Sequence, residues 1–70
     1  MSMTIRFKIL GGKEGEDLHP TEADARASLE KTLAEYEARG HHVNAVGNEY
    51  IVEDRGGNWV ATYELVSHDA

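Results

Sequence analysis

Apolar and polar residues alternate along the first ten residues of the chain. Ile5, Phe7 and Ile9 fall on one side, and polar residues such as Arg6 fall on the other. A period of two is typical of a strand with one buried face. Residues 3–10 are therefore predicted to form the first strand.

Residues 11–19 interrupt this alternation. Their sequence, GGKEGEDLH, combines glycines with charged side chains and offers almost nothing to bury. Such a composition predicts a flexible loop.

Helix signals begin after this loop. Thr21 can cap a helix, and Asp24 stands at the capping-box spacing from it. Gly40 suits a left-handed residue that ends the helix. Between them, apolar residues recur at helical spacing as a narrow stripe, formed by Ala25, Leu29, Leu33 and Tyr36.

Residues 42–66 predict three antiparallel strands. Gly47-Asn48 and Gly56-Gly57 suit two-residue hairpin loops, which need positive φ. Pairing outward from either turn places Tyr50 and Val52 on the same face of the sheet. The residues expected on this inner face are Val43, Ala45, Tyr50, Val52, Trp59, Ala61, Tyr63 and Leu65.

The predicted architecture is α+β, in the order β-α-β-β-β, and it occupies residues 1–70 as a single domain. We expect a four-stranded, mainly antiparallel sheet with one helix packed on one face. A strand-helix-strand crossover normally makes its two strands parallel, which predicts that the first strand lies at an edge. The sequence leaves open whether its neighbour is the second or the fourth strand.

Composition narrows the classes of function. Asp and Glu number 13 against 7 Lys and Arg, and the formal charge is −6 with a pI near 5.0. This sign disfavours direct binding of nucleic acid and favours a protein partner with a basic surface. The chain has no cysteine, no apolar run long enough to span a bilayer and no signal-peptide pattern, so we expect a cytoplasmic protein without disulfides.

The residues that could carry chemistry do not converge. His41, His42 and Glu53 could in principle hold Zn²⁺, but neighbouring residues on a strand point to opposite faces. The three serines have no histidine placed to activate them. We therefore expect no metal, no cofactor and no enzyme activity.

The outer sheet face is the predicted partner-binding surface, because branched apolar residues there are surrounded by polar ones. An acidic helix face with Glu30 and Glu37 is the alternative surface, and a second copy of the chain is an alternative partner. The predicted partner-binding residues of the outer face are Val46, Glu49, Ile51, Glu53, Val60, Thr62 and Glu64.

Two protein families share features with this chain. The β-α-β-β order, the length and a cluster of aromatic residues with Trp59 resemble dodecins, which stack flavin on a tryptophan. The dodecin tryptophan begins the second strand, whereas Trp59 lies in the last. Despite this difference, the resemblance makes a dodecin-like flavin binder one alternative function. A small regulatory or antitoxin-like partner protein is another.

The segments TIRFKIL, TEADARASLEKTLAEYEARG and EYIVEDRGGNWVATYEL, in one short acidic α+β domain, resemble the small phage-encoded anti-CRISPR inhibitors. That resemblance implies a protein that works by binding and often covers a nucleic-acid-contacting surface of its target. We accordingly expect a non-enzymatic, protein-binding inhibitor.

Overall fold

The computed structural model describes residues 2–68, and the side chains of residues 2–67. The elements are β1 (Ser2–Ile9), β2 (Lys13–His19), α1 (Glu22–Ala38), β3 (His42–Val46), β4 (Glu49–Glu53) and β5 (Trp59–His68). The sheet has the order β2-β1-β5-β4-β3, and every neighbouring pair is antiparallel. The α+β class with a single helix on one sheet face is confirmed, but the predicted four strands are five.

The additional strand is β2, within the segment that was predicted to be a loop. It pairs with β1 over its whole length, from Ile9 opposite Lys13 to Met3 opposite His19. Gly15 permits this pairing, because a Cβ there would stand 2.9 Å from Cζ of the Phe7 ring. An edge strand is stabilised by backbone hydrogen bonds from one neighbour, so β2 forms without the apolar alternation by which strands are recognised.

The hairpin of β1 and β2 changes the position of the first strand. β1 lies between β2 and β5, so the prediction that it occupies an edge was wrong. Of the two neighbours left open by the sequence, it pairs with the last strand. Because β2 reverses the chain before the helix, the crossover through α1 connects β2 to β3. These two parallel strands lie at opposite edges of the sheet.

The first predicted turn is confirmed. Val46 lies opposite Glu49 across the two-residue loop, and Gly47 has φ +61°. Beyond the loop, the pairings of Ala45 with Tyr50 and of Val43 with Val52 also agree with the predicted register.

The second turn is one residue longer than predicted. Asp54 N–H donates to the carbonyl of Asn58 at 2.9 Å, which leaves residues 55–57 in the loop, and Gly57 has φ +82°. A three-residue loop with glycine in this conformation is a common hairpin connection. It shifts the register, so that Glu53 lies opposite Trp59.

A β-bulge restores the predicted register immediately afterwards. Val52 lies opposite Ala61, so Val60 is the extra residue on β5. A bulge interrupts the alternation of faces along a strand. The two residues that precede Ala61 therefore lie on the faces opposite to those predicted for a regular strand. Val60 consequently packs against the core, and Trp59, which was predicted to be in the core, lies outside it with 40% of its surface exposed.

The core lies between α1 and the inner face of the sheet. Thr21 caps the helix by accepting from Asp24 N–H at 3.1 Å, as predicted. The buried residues are Met3, Ile5, Ala25, Leu29, Leu33, Val52, Ala61, Tyr63 and Leu65. Tyr36 and Tyr50 are half-buried beside them.

One polar contact crosses this core. The hydroxyls of Tyr36 and Tyr63 lie 3.1 Å apart, which joins the helix to β5. Burial, and then the hydrogen bond with Tyr36, raise the pKa of Tyr63 above its usual value. The Tyr63 hydroxyl therefore stays protonated at neutral pH, and its contact with Tyr36 holds the end of the helix to the sheet.

Candidate partner-binding face

The sheet face opposite α1 is not covered by any element of residues 2–68, and we name it the open face. Its members alternate along each strand with the residues that pack on the helix. They are Thr4, Arg6, Lys8, Glu14, Glu16, Leu18, His42, Asn44, Val46, Glu49, Ile51, Glu53, Trp59, Thr62, Glu64 and Val66.

Six of the seven residues predicted to bind a partner lie on the open face, and Val60 does not. The prediction for Val60 was wrong in its placement, because the bulge turns this side chain toward the helix. The six that remain are Val46, Glu49, Ile51, Glu53, Thr62 and Glu64, and their role in binding stays a prediction.

Sequence reasoning missed two apolar residues of this face, because it placed Leu18 in a loop and Trp59 in the core. The indole Nε1 of Trp59 donates to Thr62 Oγ1 at 2.7 Å, which holds the ring against a side chain of the open face.

The signal that could have revealed the position of Trp59 lies in the preceding loop. The sequence of Asp54, Gly56 and Gly57 suits a three-residue loop as well as a two-residue one. With the three-residue loop, Trp59 lies opposite Glu53 and not opposite Asp54, and its side chain points to the open face.

Asp54 stabilises the loop that places Trp59. Its Oδ1 accepts from the backbone N–H of Gly56 at 2.8 Å and of Asn58 at 3.0 Å. The backbone hydrogen bond from Asn58 is the main cause that lowers the pKa of Asp54. The ionised carboxylate is therefore the form that organises the loop.

Acidic side chains dominate the open face. Its five glutamates outnumber its two cations, Arg6 and Lys8, which are successive open-face residues of β1. Arg6 Nε pairs with Glu16 at 3.3 Å. Glu64 lies between Arg6 on one side and Glu49 on the other, so two carboxylates stand directly opposite each other across β4 and β5.

These charged residues line an open concavity of about 630 Å³. Its charged lining residues are the cations Arg6 and Lys8 and four glutamates, Glu14, Glu16, Glu49 and Glu64. The concavity is open to solvent and most of its lining residues are charged, which suits the surface of another protein more than an enclosed small molecule.

Exposed apolar groups distinguish the open face from the helix. Among residues 2–67, the large apolar side chains classed as exposed are Leu10, Leu18, Val46 and Trp59. The last three belong to the open face, and none lies on α1. Glu30 and Glu37, the predicted alternative site, are exposed on the helix, where exposed neighbours are polar or small.

The candidate metal ligands stay apart. His42 lies opposite Glu53 in the predicted register, whereas the His41 ring packs edge-on against Tyr36 with centroids 5.7 Å apart. Within residues 2–68, no group of three His, Asp or Glu side chains is placed to hold a metal ion. No helix of that described range is long and apolar enough to cross a membrane.

The order β-β-α-β-β-β departs from the dodecin order at its first connection. No family model, curated protein or solved structure matches this chain.

Proposed function

We propose that this chain is a non-enzymatic protein-binding domain that inhibits a larger protein by covering its basic, nucleic-acid-contacting surface with the open face. The observation that carries the proposal is the distribution of exposed apolar side chains. Those of Leu18, Val46 and Trp59 lie on the open face, at 70%, 61% and 40% exposure, and the helix has none among its described residues. Apolar groups among polar ones are the usual composition of an interaction surface.

Trp59 is suited to anchor such a contact. Tryptophan is enriched among the residues that dominate binding energy, because its large rigid ring loses little conformational freedom. The bond to Thr62 and the loop held by Asp54 fix the ring before any partner arrives. A preorganised anchor reduces the entropic cost of association.

The charge of the open face supports a basic partner. Five glutamates face two cations, one of which is already paired with Glu16. Carboxylates at the rim of an interface increase the association rate with a basic surface and exclude acidic surfaces, including nucleic acid. Proteins that handle nucleic acid are the natural source of such a partner, and we propose that the encounter occurs in the cytoplasm.

The proposal is tested by affinity capture from the cells that make the protein, with Ile51→Lys and Glu30→Lys compared with the unaltered chain. Ile51 lies on the open face in the middle of β4, and Glu30 lies on the exposed side of the helix. We expect Ile51→Lys to lose the partner and Glu30→Lys to retain it. The reverse result would make the acidic helix the binding surface.

A competition experiment tests the inhibitory mechanism with the captured partner. Duplex DNA, or RNA where the partner prefers it, is added to the purified complex at low salt. Occlusion predicts that nucleic acid and this protein exclude each other. A ternary complex of all three would show that the protein binds its partner without covering the nucleic-acid site.

A further inference from the structure

The two edges of the sheet differ in charge. β2 carries Lys13, Glu14, Glu16 and Asp17 along one edge, and charged residues discourage pairing of an edge strand with another chain. β3 forms the other edge with the sequence HVNAV, which contains no Asp, Glu, Lys, Arg or Pro. Its pairing with β4 is regular throughout. β3 therefore lacks the features that block the addition of a strand.

The backbone groups that β3 offers follow from the register. Leu65 N–H donates to the carbonyl of Asn48 at 3.0 Å, so even-numbered residues of β4 face β5 and odd-numbered ones face β3. The odd-numbered residues of β4 lie opposite even-numbered residues of β3. Val43 and Ala45 consequently turn their N–H and C=O groups toward the free edge.

We propose that β3 pairs antiparallel with β3 of a second copy of this chain, about a twofold axis at Asn44. In this register Val43 lies opposite Ala45 of the second copy, and the same contact recurs across the axis. These are the residues whose backbone groups face outward, so each pair exchanges both of its hydrogen bonds. The contact uses the same residues on both copies, as a closed dimer requires.

The side chains are compatible with this register. On the helix side of the sheet, Val43 meets Ala45, and both are apolar. On the open side, Asn44 meets Asn44 and His42 meets Val46, so no carboxylate faces another. A shift by one residue would bring side chains from opposite faces together, and a shift by two would leave residues of β3 unpaired. Pairing of β2 with itself would instead bring its acidic side chains together.

The dimer contains one continuous sheet with both open faces on the same side. Because strands of this length bury little surface, we expect a weak dimer, with a Kd of roughly micromolar or above. This inference does not depend on the proposed function, since it uses the edge of the sheet and leaves the open face free.

A disulfide test reads the register directly. The chain has no cysteine, so Asn44→Cys introduces a single thiol. In the proposed dimer two such residues form a pair without backbone hydrogen bonds, with Cα atoms about 4.5 Å apart, a separation that a disulfide can bridge. We expect Asn44→Cys to form a covalent dimer under mild oxidation. Val46→Cys is the matched control, because it lies on the same strand and face but opposite His42, and it should stay reduced.

Proline substitutions test the pairing without cross-linking. Ala45→Pro removes an outward N–H and no hydrogen bond to β4, so the fold should remain and the dimer should be lost in sedimentation equilibrium. Glu16→Pro is the control on the other edge of the sheet. Leu10 N–H donates to the carbonyl of Val60, so even-numbered residues of β1 bond to β5 and odd-numbered ones bond to β2. The odd-numbered residues of β1 lie opposite odd-numbered residues of β2, which leaves the N–H of Glu16 directed outward. If Ala45→Pro does not fold, Ala45→Lys at this exposed position replaces it.

A monomer at millimolar concentration would overturn the proposal, as would equal cross-linking of Asn44→Cys and Val46→Cys. A dimer that survives Ala45→Pro or Ala45→Lys but is lost in Ile51→Lys would overturn it in favour of association through the open face.

Discussion

Glu53 on β4 lies opposite Trp59 on β5, although the preceding residue of β4 lies opposite Ala61. The partner position advances by two residues on β5 for one on β4, which is the count of a β-bulge. The bulge offsets the additional residue in the loop before it. As a result only Trp59 and Val60 change faces, and the open face gains an aromatic side chain while the core gains a valine.

The exposure of Trp59 predicts a small effect on stability. Trp59→Ala should lower the free energy of unfolding by about 1 kcal/mol, as is common outside cores, whereas Leu29→Ala, at 3% exposure, should cost about 2–5 kcal/mol. Urea unfolding at neutral pH measures both variants. A loss with Trp59→Ala as large as that with Leu29→Ala would show that the indole belongs to the core.

Val60 and Ile51 should respond differently to a charge. Val60 packs against the core, so Val60→Lys should destabilise the fold by about 1–3 kcal/mol. Ile51→Lys, on the open face, should leave the melting temperature nearly unchanged. Thermal unfolding followed by circular dichroism compares the two, and equal melting temperatures would argue against the bulge.

The carboxylate of Asp54 should contribute to stability in a defined range of pH. Its pKa is lowered in the folded chain, chiefly by the backbone hydrogen bond from Asn58. The stabilisation is therefore present above the unfolded pKa, about 3.9 for Asp, and is lost as pH falls from there through the folded pKa. The unaltered chain should be more stable than Asp54→Ala at pH 7, and this difference should shrink at pH 3. A difference independent of pH would exclude the ionised carboxylate as its source.

Glycine is predicted to be required at position 15, because the Phe7 ring occupies the space that a side chain there would need. A Cβ at residue 15 would approach Phe7 Cζ to 2.9 Å, so the ring must move if Gly15 is replaced. Gly15→Ala should cost about 1–3 kcal/mol by overpacking. In Phe7→Leu, which lacks the far end of the ring, the same substitution should cost less. Additive costs in the double variant would show that the two residues do not interact.

The sequence alone was sufficient for the elements whose residues carry their own periodicity. The alternation in β1, the capped helix with Leu29 and Leu33, and the turn at Gly47 were all confirmed. These features depend on contacts between residues near in sequence, or on a strict period of two, and both can be recognised from residue types.

Only the tertiary structure decided the rest. β2 forms because β1 offers it an unpaired edge and Gly15 leaves room for a ring, and neither condition is visible in a polar, glycine-containing segment. The face of Trp59 depends on one residue of loop length and one bulge, which cancel over the rest of β5. A period-two pattern does not record two compensating shifts, and so the sequence misplaced both Trp59 and Val60.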